Sequence, residues 1–332
     1  MTQKVFCDFH HGGLFYAMHL LWEKRLGMEL YTMRGREWYE KGYWKVNDQL
    51  DTVAQYLEHP EIAMYDPLHA REGKNEYAIN MLTFDQFKSM KFDYIVASMD
   101  QHELPFVELR DRYQPQAKCI YHLGNWGVWP RWAMPNFLNS TSLRAPPGIN
   151  AVTWREEFDL VDYHYEPPKP GQDVITTFLH MMNGSHGYGA WLALQALLPE
   201  IKFREFGITN RDGVCPEQDI SDRMREARFV YHVKFPPDGY GHNVHHAAAC
   251  GRPLITNIND YHGEIAEALF EDMVTVIDAS EGPAETARKV CNVLHAPGKH
   301  EAMCKAMHER FKKVVNFDQE ENDVRLWLER CK

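Results

Sequence analysis

Cysteine is sparse in this chain, with seven in 332 residues, at positions 7, 119, 215, 250, 291, 304 and 331. No Cys-x-x-Cys pair occurs and the count is odd, which argues against a thiolate zinc ribbon and against a disulfide framework. A reducing, cytoplasmic compartment is the expected location. No run of 18 apolar residues exists, so no membrane-spanning helix is expected. The opening "MTQKVFCDFHHGG" lacks the pattern of a secretory leader. Basic charge is in deficit, with 36 Lys and Arg against 47 Asp and Glu and a net charge of −11. Generic binding to nucleic acid or an anionic membrane needs a basic face, so both are disfavoured. Short-period repeats and low-complexity segments are absent too, which excludes a solenoid or fibrous chain.

What is present is an ordinary globular composition, 44% hydrophobic and 25% charged, with a high aromatic share of 13% and nine Trp. The length suits two domains of ~150 residues each. "KVFCDF" (4–9) reads as a strand, "HHGG" as a turn and "LFYAMHLLWEKRLG" as a helix, with Gly27 as its stop. "MELYTM", "FDYIVASM" and "KCIYHLG" read as further strands, and "LPFVELRDRYQ" as a helix. Two aromatic-rich stretches, "GREWYEKGYW" (35–44) and "NWGVWPRWAMPNFLNSTSLRAPPG" (125–148), read as loops. The clustered prolines of "YEPPKPGQD" (165–173) mark a linker. Beyond it "VITTFLHM", "IKFREFG", "RFVYHVKF" and "PLITN" read as strands alternating with helices, and the tail is mostly helical. Alternation of this kind predicts an α/β chain of two Rossmann-like, doubly wound domains facing a cleft.

Three strand–glycine–helix turns stand out: "DFHHGGLFYAM", "HMMNGSHGYGAW" and "DGYGHNVHHAAACGRPLI". In open α/β sheets ligands bind beyond the carboxyl ends of the strands, where helix N-termini offer N–H groups to an anion. Glycine lets the backbone approach closely. Three such turns at corresponding positions predict a cleft that binds a phosphorylated ligand. His242 and His246 are four residues apart on one helix, but the Glu of the zinc-protease pattern is missing, so no metal site is expected.

The segments "TFLHMMNGSHGYGAWLALQALLPEIKFREFG" (177–207) and "RFVYHVKFPPDGYGHNVHHAAACGRPLITN" (228–257) resemble the nucleotide-sugar domain of GT-B glycosyltransferases, especially the retaining family with a Glu-x7-Glu motif. The "ACGRPLIT" turn is close to that family's pattern, and "HHGGL" stands where the family has its N-terminal glycine loop. The likeness covers most of the chain in order of elements and a smaller part in motif detail. It departs in two places: Asp238 and His246 replace the two Glu, and "NGSHG" replaces the Arg and Lys that neutralise the donor diphosphate.

The resemblance implies the GT-B architecture: an acceptor domain over 1–167, a donor domain over 168–310 and a last helix, 311–332, packing back on the first. It implies transfer from a UDP- or GDP-linked sugar to a hydroxyl acceptor, with no separate cofactor and no metal, and retention before inversion. Gly241, His242 and Asn243 would line the phosphates. Asp238 would stand near the transferred sugar, His246 at the ribose and Glu264 nearby. Gly12, Gly13, Asn183, His186 and Gly207 would line the remaining loops, with Lys234 or Arg211 as the cation.

His10, His11 and Asp100 are rival bases for the acceptor hydroxyl. Trp38, Tyr43, Trp44, Trp126, Trp129 and Trp132 either stack on the acceptor or fill the loop core. The acceptor is a carbohydrate or, from the faint likeness of "CIYHLGNWGVWPRWAMPN" to phage DNA-base glucosyltransferases, a modified DNA base. A silent nucleotide-sugar-binding paralogue and a sugar-nucleotide epimerase are the competing readings.

Overall fold

The computed structural model describes residues 2–8, 12–33, 37–43, 69–72, 75–78, 80–124, 130–169, 171, 174–180, 182–185, 187–234 and 240–331. The chain divides into two compact units, Met1–Glu157 with Phe317–Lys332, and Phe158–Asn316.

The first unit contains strands β1 (Lys4–Cys7), β2 (Glu29–Met33), β5 (Asn80–Leu82), β6 (Tyr94–Ala97), β7 (Lys118–Leu123), β8 (Asn136–Asn139) and β9 (Asn150–Thr153). They form one parallel sheet in the order β5-β2-β1-β6-β7-β8-β9. A separate antiparallel ribbon joins β3 (His69–Glu72) and β4 (Asn75–Ala78). The sheet is buried on both faces, as its near-continuous apolar strands require. Val5 and Cys7 enter one core with Val96, Ile120 and Leu138, while Phe6 enters the other with Ile95, Ala97 and Tyr121. The helices are α1 (Gly12–His19), running on into a wider π turn over Leu20–Arg25, α2 (Glu37–Glu40), α3 (Phe84–Ser89) and α4 (Asp100–Tyr113).

The second unit holds a five-stranded parallel sheet of β10 (Val174–Thr177), β11 (Lys202–Glu205), β12 (Phe229–Tyr231), β13 (Leu254–Thr256) and β14 (Val276–Asp278). Its order is β11-β10-β12-β13-β14. Flanking it are α5 (Tyr188–Leu197), α6 (Glu217–Glu226), α7 (His242–Ala249), α8 (Pro283–Leu294) and α9 (Lys299–Val314). The last helix, α10 (Phe317–Leu328), belongs to the first unit, where Val324 and Trp327 join the core of Val5 and Trp22.

The sequence places the division at 167/168 and 310/311, whereas the two units meet at 157/158 and 316/317. The earlier boundary follows from packing of the segment before the prolines. Phe158 and Tyr163 lie against His246, Ser221 donates to Asp162 at 2.8 Å, and Tyr165 stacks on His308. The Pro- and Trp-rich loop also contains β8, whose Asn136 is fully buried and donates to the Cys119 carbonyl at 2.8 Å. All seven cysteines are free thiols. Among the described residues no helix is long and apolar enough to cross a membrane.

Candidate functional site

Each of the three glycine turns leads a parallel strand into a helix: β1 into α1, β10 into α5 and β12 into α7. In the second unit the chain adds β11 on one side of β10 and then β12 on the other. The carboxyl ends of β10 and β12 therefore flank a topological switch point, where open α/β sheets bind ligands.

The N-terminus of α7 sits at this point. Gly241 caps the helix in the left-handed region, φ +75°, and Asn243 Nδ2 donates to the Phe178 carbonyl just past β10 at 3.4 Å. First-turn N–H groups lack intrahelical partners and carry the positive end of the helix dipole. His242 and Asn243 are half-buried on that first turn. His245 is directed inward, stacked on Tyr240 with ring centroids 4.0 Å apart. His246 is buried against Tyr163, with ring centroids 3.9 Å apart. Glu264 is buried ahead of a short 3-10 turn, Ile265–Leu269. Among the described residues no group of three His, Cys, Asp or Glu side chains is placed to hold a metal ion.

Two further loops close the switch point. Asn183 and Thr209 bond each other twice, Nδ2 to the Thr209 carbonyl and Oγ1 to Oδ1, both at 3.1 Å. Gly207, φ +150°, lies so close to the end of β10 that a Cβ there would stand 2.9 Å from the Leu179 carbonyl oxygen. Asn210, which sequence reasoning missed, ties these loops together. It donates to the Leu179 carbonyl at 2.6 Å and accepts from Met182 N–H at 2.7 Å. Its signal in the sequence was an Asn three residues beyond a strand-ending glycine.

His180, also missed, stands three residues past β10, and its Nδ1 accepts from Ile208 N–H at 3.1 Å. Though the residue keeps an exposed edge, desolvation by its neighbours pushes its pKa below the ordinary histidine value, and the Lys234 ammonium adds to the shift. Arg211 is engaged elsewhere, donating to the Phe203 carbonyl at 2.7 Å and pairing with Asp212 at 3.0 Å. Lys234 instead lines a cavity of about 180 Å³ with Gly187, Tyr231, Val233, Asn257 and Asp260. Tyr231 donates from its hydroxyl to the Gly187 carbonyl at 3.2 Å, and a Cβ at Gly187 would stand 2.5 Å from the Val233 carbonyl oxygen. His186 and Asp238 lie outside the described residues.

The first unit has its own switch point, between β1 and β6. Gly12 and Gly13 form the start of α1, while His10 and His11 lie outside the described residues. Asp100 is exposed as the first residue of α4. Near it, Asp8 and His102 form a buried pair, Oδ2 to Nδ1 at 2.7 Å. Burial pushes the Tyr121 phenol far above its usual pKa, and the negative charges of Asp100, Glu103 and Asp8 add to this. Glu103 is fully buried and accepts from the backbone N–H of Arg131 and Ala133, both at 2.6 Å. Of the loop aromatics, Trp38 is a core residue, donating from its indole to the Leu82 carbonyl at 2.9 Å, and Tyr43 is buried beside it. Trp132 is half-buried and stacks on Phe137. Trp44, Trp126 and Trp129 lie outside the described residues.

No protein-family model and no curated relative matches the chain. Solved structures do. HepE from Anabaena, in complex with UDP and glucose, superposes with a TM-score of 0.67 at 10% identity, over 99% of this chain and 100% of that one. The chain has the GT-B fold. The sucrose-phosphate synthase of Thermosynechococcus elongatus shares the GT-B fold at a TM-score of 0.62 and 9% identity, over 99% and 98% of the two chains. So does an α-glucosyltransferase in complex with UDP and a DNA 13-mer containing an HMU base, at 0.61 and 7%, over 99% and 100%.

Proposed function

We propose that the protein is a metal-independent glycosyltransferase that moves a sugar from a UDP- or GDP-linked donor to a hydroxyl acceptor. The observation that carries this reading is the α7 N-terminus at the β10–β12 switch point, entered through a left-handed glycine and hooked by Asn243 to the end of β10. Solved GT-B structures holding UDP support it.

In this reading the second unit binds the donor. Gly241, His242 and Asn243 face the diphosphate, and Lys234 supplies the cation. A helix N-terminus contributes about 0.3–2 kcal/mol toward an anion. Asp238 stands by the transferred sugar, and the eight-residue spacing from Asp238 to His246 supports retention. His246 and Glu264 belong to the ribose side, and Asn183, His186 and Gly207 to the surrounding loops. The first unit binds the acceptor, with Gly12 and Gly13 at its glycine loop and Asp100, His10 or His11 as the base. A carbohydrate acceptor fits the net charge of −11. A modified DNA base is the second reading, favoured by the structural likeness to a DNA-bound α-glucosyltransferase. Salt-sensitive retention on DNA separates the two.

The test is thermal unfolding with a panel of nucleotide sugars. A donor at 100 times its Kd stabilises by about 2.7 kcal/mol, which for units of this size raises Tm by several degrees. A flat response to every UDP- and GDP-sugar overturns the reading. Asp238→Ala is expected to abolish turnover while leaving donor binding largely intact.

A further inference from the structure

Asp8, immediately after β1, is only 3% exposed, yet it carries a carboxylate. Both of its oxygens lie 2.9 Å from the backbone N–H of Ser98, and Oδ2 lies 2.7 Å from His102 Nδ1, which donates to it. Ser98 and His102 stand two residues to either side of Asp100. One carboxylate therefore grips both flanks of the turn that presents Asp100 at the head of α4. The His102 ring is seated parallel on Phe106, with an interplanar angle of 8°. The adjacent Glu103 anchors the segment 131–134, including Trp132 at φ +58°. Within this helical turn His102 and Glu103 are buried and Asp100 is exposed.

Burying a carboxylate is costly, and a well-packed apolar side chain serves stability as well. What the carboxylate adds is direction, because charge-assisted hydrogen bonds are short and geometrically specific. We infer that Asp8 is a positioning residue: through Ser98 and His102 it holds Asp100 in the orientation from which Asp100 takes the acceptor's proton. This rests on the reading of the first unit as the acceptor side. In the step it serves, the acceptor oxygen bonds to the anomeric carbon. The bond from that carbon to the diphosphate oxygen breaks on the same face, so that configuration is retained, with its electron pair leaving on phosphate, and the hydroxyl proton passes to the Asp100 carboxylate. Misplacement of a catalytic group by about 1 Å lowers the rate about 100-fold.

The experiment combines a double-mutant cycle with amide hydrogen exchange on the full-length protein. Asp8→Asn keeps the size of the side chain and removes its charge. His102→Phe keeps the ring stacked on Phe106 and removes the bond. Turnover of the nucleotide sugar that stabilises the protein is measured at saturation, alongside the Kd for UDP. Asp8→Asn and Asp100→Asn are each expected to lower kcat by about 10–100-fold with the Kd for UDP unchanged, and the double variant to lose no more than Asp100→Asn alone. Exchange at 98–103 is expected to rise at least about tenfold in Asp8→Asn and His102→Phe.

Additive losses in the cycle, or a Kd that moves with kcat, would overturn the positioning role. Unchanged exchange at 98–103 would overturn the clamp whether or not the protein turns over. A wild-type protein that cleaves no nucleotide sugar defeats the reading of function, and the exchange measurement still decides the clamp.

Discussion

Gly251 ends α7 at φ +66°, and a Cβ on it would stand 2.4 Å from the Tyr165 ring and 2.9 Å from the Cys304 carbonyl oxygen. Gly213 has nearly the same backbone, φ +72°, with open space where its Cβ would be. The pair separates backbone strain from steric exclusion. Gly213→Ala is expected to cost about 1 kcal/mol, the left-handed strain alone. Gly251→Ala is expected to cost about 2–4 kcal/mol, because the added Cβ also meets the Tyr165 ring, which is stacked on His308, and the Cys304 backbone carbonyl. Urea unfolding of the two variants measures the difference, and equal losses would mean that the ring moves aside. Arg252, the next residue, is fully buried and donates to the carbonyls of Arg225 and Glu166 at 3.0 and 2.9 Å. The "CGRP" turn is thus explained by packing alone and needs no ligand.

At the scale of elements, the loop after β10 carries His180, whose pKa responds to Lys234 beyond the end of β12. His180 is held below the ordinary histidine pKa by desolvation and by Lys234, so it is neutral at pH 7. The sign follows: a folded state that disfavours the proton is unaffected by it above the ordinary value of 6.5 and loses stability as pH falls below that value. On the proposed reading of this loop as the donor site, a bound diphosphate is expected to raise the His180 pKa, so that a proton is taken up on binding. Affinity for UDP in the native protein, relative to His180→Ala, is therefore expected to rise as pH falls through the raised pKa of the complex and to level off below the lowered pKa of the free protein. Calorimetric titration at several pH values checks it, and comparison with the variant cancels the ionisation of UDP itself. Lys234→Ala is expected to weaken UDP about tenfold.

The three glycine turns were legible in the sequence because strand, glycine and helix signals are local. The ties that assemble the switch point were not. Asn210, His180 and the Asp8–His102 pair join residues 28 to 94 positions apart, and no periodicity marks such a bond. Strand β8 was hidden for a related reason, since its Asn ends and the proline before it read as loop until pairing with β7 buries Asn136, Phe137 and Leu138.

Across the whole molecule, the two α/β units were legible and their boundary was displaced by ten residues, because Phe158, Asp162 and Tyr163 show their partners only in three dimensions. The return of α10 to the first unit rests on specific contacts. Trp327 is fully buried and donates to the Asn150 carbonyl at 3.0 Å, and Arg25 pairs with Asp318 and Glu321 at 2.8 and 3.0 Å. Trp327→Ala is expected to cost about 3–5 kcal/mol, read as early unfolding of the first unit by hydrogen exchange while the second stays protected. The central claim, sugar transfer from a nucleotide donor, is tested most directly by mass spectrometry of nucleotide sugars incubated with the protein. The account predicts that one UDP- or GDP-sugar is split into free sugar and nucleoside diphosphate, and that Asp238→Ala stops it. Recovery of every donor intact would contradict it.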